Sequence, residues 1–275
     1  MASQTFHSFI SLMKTIILCG GTGTRMKEET EFKPKPLVEV GGKPILWHIM
    51  KIYAHYGYND FVLALGYKGN MIKEYFLNWR SLLNDFTLNT KNNDITFHNN
   101  DCDDFKITFA ETGLSSLTGE RVRQLRKHLN PGEDVMITYG DGVADVNLKE
   151  LVDFHKKQNT LATITAVRPA SRFGFLNIHP DTKKAVDFFQ HKVTQDTKEE
   201  RTNDFINGGF MVLKPEALDL IAEGTMIESL FPTLAEKGEL SVFTHNGKWR
   251  CMDTYKEVEE LNEHWHKDPF WKIWK

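Results

Sequence analysis

The sequence predicts an α/β protein built on a doubly wound, mostly parallel sheet, with a smaller β-rich part following it. Three observations predict this. Short, wholly apolar runs end at glycine, as strands covered on both faces do. Apolar residues at helical spacing alternate with those runs. After Pro169 the rhythm changes to shorter β segments.

Thr15-Ile-Ile-Leu-Cys19 stops at Gly20-Gly21 and reads as the first buried strand. Pro44 opens a helix with Ile45, Ile49, Ile52 and Tyr56 on one face, and Gly57 ends it. Asp60–Leu65 is the second strand, and a helix through Met71, Ile72, Tyr75 and Phe76 follows. Strands are expected around Ile95–His98 and Lys106–Ala110. A helix over Gly119–Leu129 should turn Val122, Leu125 and Leu129 inward and its arginines outward. Val135–Tyr139 reads as a strand, and Asn147 caps a helix that has Glu150 in its first turn. Leu161–Val167 completes the strand–helix repetition. Right-handed crossovers then place the loops after the strands along one edge.

Beyond Pro169 the β segments are Phe173–Ile178, Ala185–Phe189, Phe205–Leu213 and Leu240–His245, with helices near Pro215–Ala222 and Met226–Lys237. Thr194–Asn203 reads as a polar, mobile loop. Thr254-Tyr-Lys-Glu257 is a capping box for a final helix whose buried stripe is Val258, Leu261 and Trp265. Trp265, Phe270, Trp271 and Trp274 are too aromatic for a solvated tail and should pack on the domain or on a neighbouring subunit. Residues 1–12 read as an extension before a single domain over 13–275.

A net charge of -3 lacks the basic excess of a general nucleic-acid or membrane-surface binder. No apolar run approaches the roughly 20 residues of a membrane-spanning helix. Cys19, Cys102 and Cys251 are odd in number and far apart, against a disulfide framework or a structural zinc site and in keeping with a reducing, cytoplasmic setting. Eleven histidines contain no His-Glu-x-x-His run and read as surface or capping residues. Ser115-Ser116 lacks a nucleophile-elbow context and reads as polar loop.

Three segments carry chemistry. Gly20-Gly21-Thr22-Gly23-Thr24-Arg25 follows a buried strand, where glycines let the backbone approach an anion and Arg25 adds a permanent forked donor. It is neither a P-loop nor a dinucleotide fingerprint, since it lacks Gly-Lys-Ser/Thr and has Met26 where the third glycine would stand. Lys33-Pro34-Lys35-Pro36 should be extended, with both lysines on one face and able to close over the same anion. Asp141, in Tyr139-Gly140-Asp141-Gly142-Val143-Ala144-Asp145, lies at the carboxyl end of a strand, on the edge where such sheets bind ligands. Asp253 is its expected companion, and two such aspartates suffice for Mg²⁺.

Those segments occur in order with Val40-Gly-Gly-Lys-Pro44, Gly66-Tyr-Lys-Gly69, Ile206-Asn207-Gly-Gly-Phe210 and Met252-Asp253-Thr254. Together they resemble the sugar-phosphate nucleotidyltransferase family from about Met13 to the C-terminus. The helix carrying Trp47-His48, the Gly66–Gly69 phrase and the Gly140–Asp145 phrase resemble its cytidylyltransferase members, which pair CTP with glucose 1-phosphate. The resemblance implies the Rossmann-like nucleotide-diphospho-sugar transferase fold. Residues 13–168 would form a nucleotide-binding part, and 169–275 a sugar-binding part with the final helix.

It further implies that backbone from Leu18 to Gly23, including Gly20, Gly21 and Thr22, with Thr24, holds base and phosphates. Arg25 would bind the triphosphate and Lys35 the reacting α-phosphate. Thr112 and Gly113, then Thr118, Gly119 and Arg121, and also Tyr139 and Gly140, would contact the nucleotide. Asp141 and Asp253 would hold Mg²⁺. Lys192 would meet the sugar phosphate, with Gly174, and Asn207 with Gly208 the sugar hydroxyls. A homo-oligomer supplying a cell-surface polysaccharide precursor is also implied.

The sequence departs from the family pattern at two places. His191 stands where a sugar-facing glutamate is usual and Val193 where a proline is; Glu120 stands in Thr118-Gly-Glu-Arg121 where glycine is usual. These leave open another sugar phosphate, or UTP or dTTP. A catalytically silent nucleotide sensor is the reading outside the enzyme class.

Overall fold

The computed structural model describes residues 13–168, 175–178, 185–189 and 205–275. Seven strands form the central sheet: β1 (Thr15–Leu18), β2 (Asp60–Leu65), β3 (Lys106–Glu111), β4 (Val135–Tyr139), β5 (Ala162–Val167), β6 (Ile206–Leu213) and β7 (Leu240–His245). Their order is β7-β5-β6-β4-β1-β2-β3. β1 is parallel to β4 and β2, β2 to β3, and β5 to β7, whereas β6 is antiparallel to both β4 and β5.

The apolar strands are buried because successive side chains enter opposite cores. Ile17, Leu63, Met136 and Val212 join the cluster packed under α1 (Ile45–His55) and the final helix. Ile16, Val62, Ile137 and Met211 join the other, with Val122 and Leu125. Each side chain so buried contributes about 1.5–3 kcal/mol, and that is why alternation is absent from the sequence of these strands.

Asn147 caps Leu148–Gln158 as expected, its side chain accepting from the backbone N–H groups of Lys149 and Glu150 at 3.1 and 3.2 Å. Apart from the short strand Trp249–Cys251, the described strands and helices of the second half fall within the predicted segments, but β6 lies inside the main sheet between β4 and β5, so strands from both halves of the chain share one sheet. The expected strand near Ile95 pairs with Phe86–Asn89 in a hairpin outside the sheet. Register sets Phe86, Leu88, Ile95 and Phe97 on one face of that hairpin, and the first three are exposed.

Two histidines contradict the surface reading. His48 and His155 are fully buried. Nε2 of His48 lies 2.8 Å from the Val40 carbonyl oxygen, and Trp271 Nε1 donates to its Nδ1 at 3.2 Å. The aromatic C-terminal cluster therefore packs on its own domain. Among the described residues, no helix is long and apolar enough to cross a membrane.

Candidate active site

The chain leaves β1 for β2 on one side, and β4 lies on the other, so a crevice opens where the strand order reverses. A cavity of about 360 Å³ occupies that edge. Leu18, Gly20, Gly21, Gly23, Thr24 and Arg25 line it from the first loop, and Lys35 from the next. Thr118 and Arg121, with Tyr139, Gly140, Asp141 and Asp253, form the rest of the predicted lining.

The two aspartates meet through a local ladder. Gly142–Ala144 pairs antiparallel with Trp249–Cys251, and the Met252 N–H donates to the Asp141 carbonyl at 2.9 Å. The capping box then fixes Asp253: Glu257 Oε2 accepts from the backbone N–H groups of Asp253 and Thr254, both at 2.8 Å.

Lys35 projects between them. Its Nζ lies 2.5 Å from Asp141 Oδ2 and 2.7 Å from Asp253 Oδ1, while Arg25 Nη1 reaches Asp253 Oδ2 at 2.8 Å. Burial opposes the Lys35 charge, but the two carboxylates outweigh it and hold its pKa above the usual lysine value. The segment differs from the extended expectation: Pro34 is extended, but Lys35–Leu37 form a 3₁₀ turn, closed by the Leu37 N–H on the Pro34 carbonyl. Lys33 consequently does not share the site and lies 4.0 Å from Glu29.

Arg121 also departs from expectation, being buried rather than outward. Carbonyl oxygens at the ends of β1, β2 and β3 converge there and take its guanidinium as a shared donor. Nη1 donates to Leu65 O, Thr112 Oγ1 and Gly113 O at 3.1, 2.6 and 2.7 Å, and Nη2 to Gly20 O at 3.0 Å. Gly20 is glycine for this reason, since a Cβ there would lie 2.3 Å from Arg121 Nη1. Thr112 and Gly113 thus flank the site as partners of Arg121. The departure at Glu120 points away from the cavity: its carboxylate accepts from Arg123, Gln124 and the Gly224 N–H.

Thr22 lies in the same loop outside the lining, and Gly119 packs under Thr225. Asn207 reaches the cavity through Tyr139, with Nδ2 at 3.4 Å from the tyrosine oxygen, and the Gly208 carbonyl accepts from Trp249 Nε1 at 2.8 Å. Gly174, His191, Lys192, Val193, the Thr194–Asn203 stretch and residues 1–12 lie outside the described residues. Cys19 lines the cavity within the Leu18–Gly23 stretch, as expected, whereas sequence reasoning missed Pro36, which adjoins a recognised motif, and Ser116, Leu117 and Met226. The last three carry no signal in their residue types.

Two carboxylates already share one cation, a hard-oxygen donor set that suits Mg²⁺, which fills its remaining positions with phosphate oxygens and water. Among the described residues, no cluster of three or more His, Cys, Asp or Glu side chains offers another metal centre.

The pattern of the nucleotidyl transferase family matches residues 14–267. A glucose-1-phosphate cytidylyltransferase of Salmonella typhimurium is 43% identical over 265 residues, covering 95% of this chain and 100% of that one. A mannose-1-phosphate guanyltransferase of Debaryomyces hansenii is 30% identical over 89% of this chain and 62% of its own. The crystal structure of HddC from Yersinia pseudotuberculosis superposes with a TM-score of 0.65 at 19% identity, covering 92% of this chain and 99% of that one, a likeness of fold.

Proposed function

The chain belongs to the nucleotidyl transferase family, and from that membership we propose that it transfers the cytidylyl group of CTP to glucose 1-phosphate, giving CDP-glucose and pyrophosphate. An oxygen of the sugar phosphate attacks the α-phosphorus in line as the bond to the pyrophosphate oxygen breaks. Both reactants are anions, so their repulsion and the charge on the leaving group are the barriers to be lowered. Arg25 and Lys35 are the donors available to phosphate oxygens at this edge, and Lys35 is assigned to the α-phosphate. Asp141 and Asp253 would hold Mg²⁺, which would offset charge on the triphosphate and the departing pyrophosphate. The sugar phosphate is ionised near neutral pH and needs no general base.

The observation that carries the reading is the meeting of Arg25, Lys35, Asp141 and Asp253, from four distant segments, at one end of a cavity. Full-length likeness to a relative bearing that activity in its name supports the substrate pair. The protein would work in the cytoplasm as a homo-oligomer, for which the exposed apolar face of the Phe86–Asn89 hairpin offers a contact surface. Pyrophosphate release with Mg²⁺, across CTP, UTP and dTTP and a panel of sugar 1-phosphates, tests the reading. Greatest kcat/KM with CTP and glucose 1-phosphate is expected. A different best pair would replace the substrates, and silence across the panel would favour the nucleotide sensor.

A further inference from the structure

Behind the cavity wall sits a carboxylate that neither the mechanism nor the sequence motifs employ. Glu228 lies in the 3₁₀ turn Ile227–Ser229, directly after Met226, which lines the cavity. The Tyr139 hydroxyl donates to its Oε1, and the Thr118 hydroxyl to its Oε2 at 3.3 Å. The Ile227 N–H in turn donates to Thr118 Oγ1 at 2.9 Å, which fixes the turn against the nucleotide side of the wall.

The polarity of these bonds has a consequence for the sugar. An ionised carboxylate only accepts, so Tyr139 gives its single hydroxyl proton to Glu228 and keeps lone pairs alone for other partners. Asn207 Nδ2 donates to that oxygen at 3.4 Å, and Asn207 Oδ1 accepts from the Gly209 N–H at 2.9 Å. Both ends of the amide are thereby assigned.

We propose that Glu228 is a positioning residue for the sugar phosphate: by holding Tyr139 and, through it, Asn207, it presents an acceptor and a donor side by side to one sugar hydroxyl. The proposal rests on the nucleotidyl-transfer reading, in which Asn207 faces the sugar. It gives sugar selectivity a residue from the helical layer after β6, outside the motifs through which the sugar site was read.

The test is steady-state pyrophosphate release with both KM values measured separately. Glu228→Ala should raise the KM for glucose 1-phosphate about tenfold, the size expected for a lost hydrogen bond to a charged group, with the KM for CTP essentially unchanged. Tyr139→Phe should raise the KM for glucose 1-phosphate by a similar factor, and the double variant should be no worse than either on that KM, because both remove one relay. Glu228→Gln, which keeps an acceptor oxygen of equal reach, should recover most of the loss. Equal rises in both KM values, multiplicative effects in the double variant, or no rise at all would each overturn the proposal. Should Glu228→Ala fail to fold, Tyr139→Phe together with Glu228→Gln carries the same test. Wild-type protein inactive with this substrate pair would instead sink the functional reading, so the two failures are distinguishable.

Discussion

The Lys35 ammonium lies 2.5 Å from Oδ2 of Asp141, a cation resting on a carboxylate assigned to a metal. Both residues line the switch-point cavity, and Lys35 is the less exposed partner. Such a lysine is held ready beside the place where phosphate charge must be offset. Lys35→Ala should therefore lower kcat by about 10²-fold or more, the effect of losing one charge-stabilising donor. Pyrophosphate release under saturating substrates measures it, and near-normal turnover would remove Lys35 from the chemistry.

The same contact predicts competition. Lys35 and Arg25 together occupy Asp141 Oδ2 and both oxygens of Asp253, so a divalent ion reaching these carboxylates without nucleotide must displace them. Removing the Lys35 charge should tighten binding of Mn²⁺ to nucleotide-free protein by at least roughly tenfold, since a unit charge a few ångströms away is worth that much even at high effective dielectric. Calorimetric titration of wild type and Lys35→Ala decides this. Asp253→Asn should abolish binding at this site, and unchanged affinity in Lys35→Ala would mean that the ion binds elsewhere.

Arg121 serves stability through its carbonyl partners, and its loss should look different from that of Lys35. Arg121→Met removes a charged donor from the carbonyl groups of Gly20, Leu65 and Gly113, of which the first two keep the N–H groups of Tyr67 and Thr112, and should cost about 1.5–3 kcal/mol in urea unfolding. Gly20→Ala drives a methyl group into the same guanidinium and should destabilise as well. The two changes should be non-additive, because each disrupts one clamp. Strict additivity would show that Gly20 is glycine for another reason.

How much of this was legible in the sequence follows from the range of each interaction. Strands covered on both faces announce themselves as unbroken apolar runs, so β1, β2, β4 and β5 could be read directly. The insertion of β6 between β4 and β5 could not, because strand order depends on pairings distant in sequence. Arg25, Lys35, Asp141 and Asp253 stood in recognisable phrases, yet their meeting depends on the short ladder between Gly142–Ala144 and Trp249–Cys251. Arg121 was misread because arginine at helical spacing ordinarily faces water; only converging carbonyl groups turn it inward. Glu228 was invisible for a related reason: a lone glutamate in a helical stretch looks like solvated surface until Tyr139 is placed beside it.

His48 gives a pH dependence whose sign is fixed by its surroundings. Burial lowers its pKa from the ordinary 6.5 to about 4, against the opposing pull of the Val40 carbonyl. The neutral ring already has both nitrogens engaged, Nε2 toward Val40 O and Nδ1 accepting from Trp271, so a second proton would break the tryptophan bond. Between pH 6.5 and 4 the unfolded chain therefore takes up a proton that the folded chain refuses. The contribution is fully present above about pH 6.5 and shrinks as pH falls toward 4, by about 3 kcal/mol over the window. His155, also held down by burial, and the carboxylates add slopes of their own, so the difference between wild type and His48→Gln isolates this ring. Urea unfolding of both proteins from pH 7 to pH 4.5 should show that difference narrowing with acidity. A difference constant across the range would mean that His48 does not titrate in this way, and that Trp271 is held in place by packing alone.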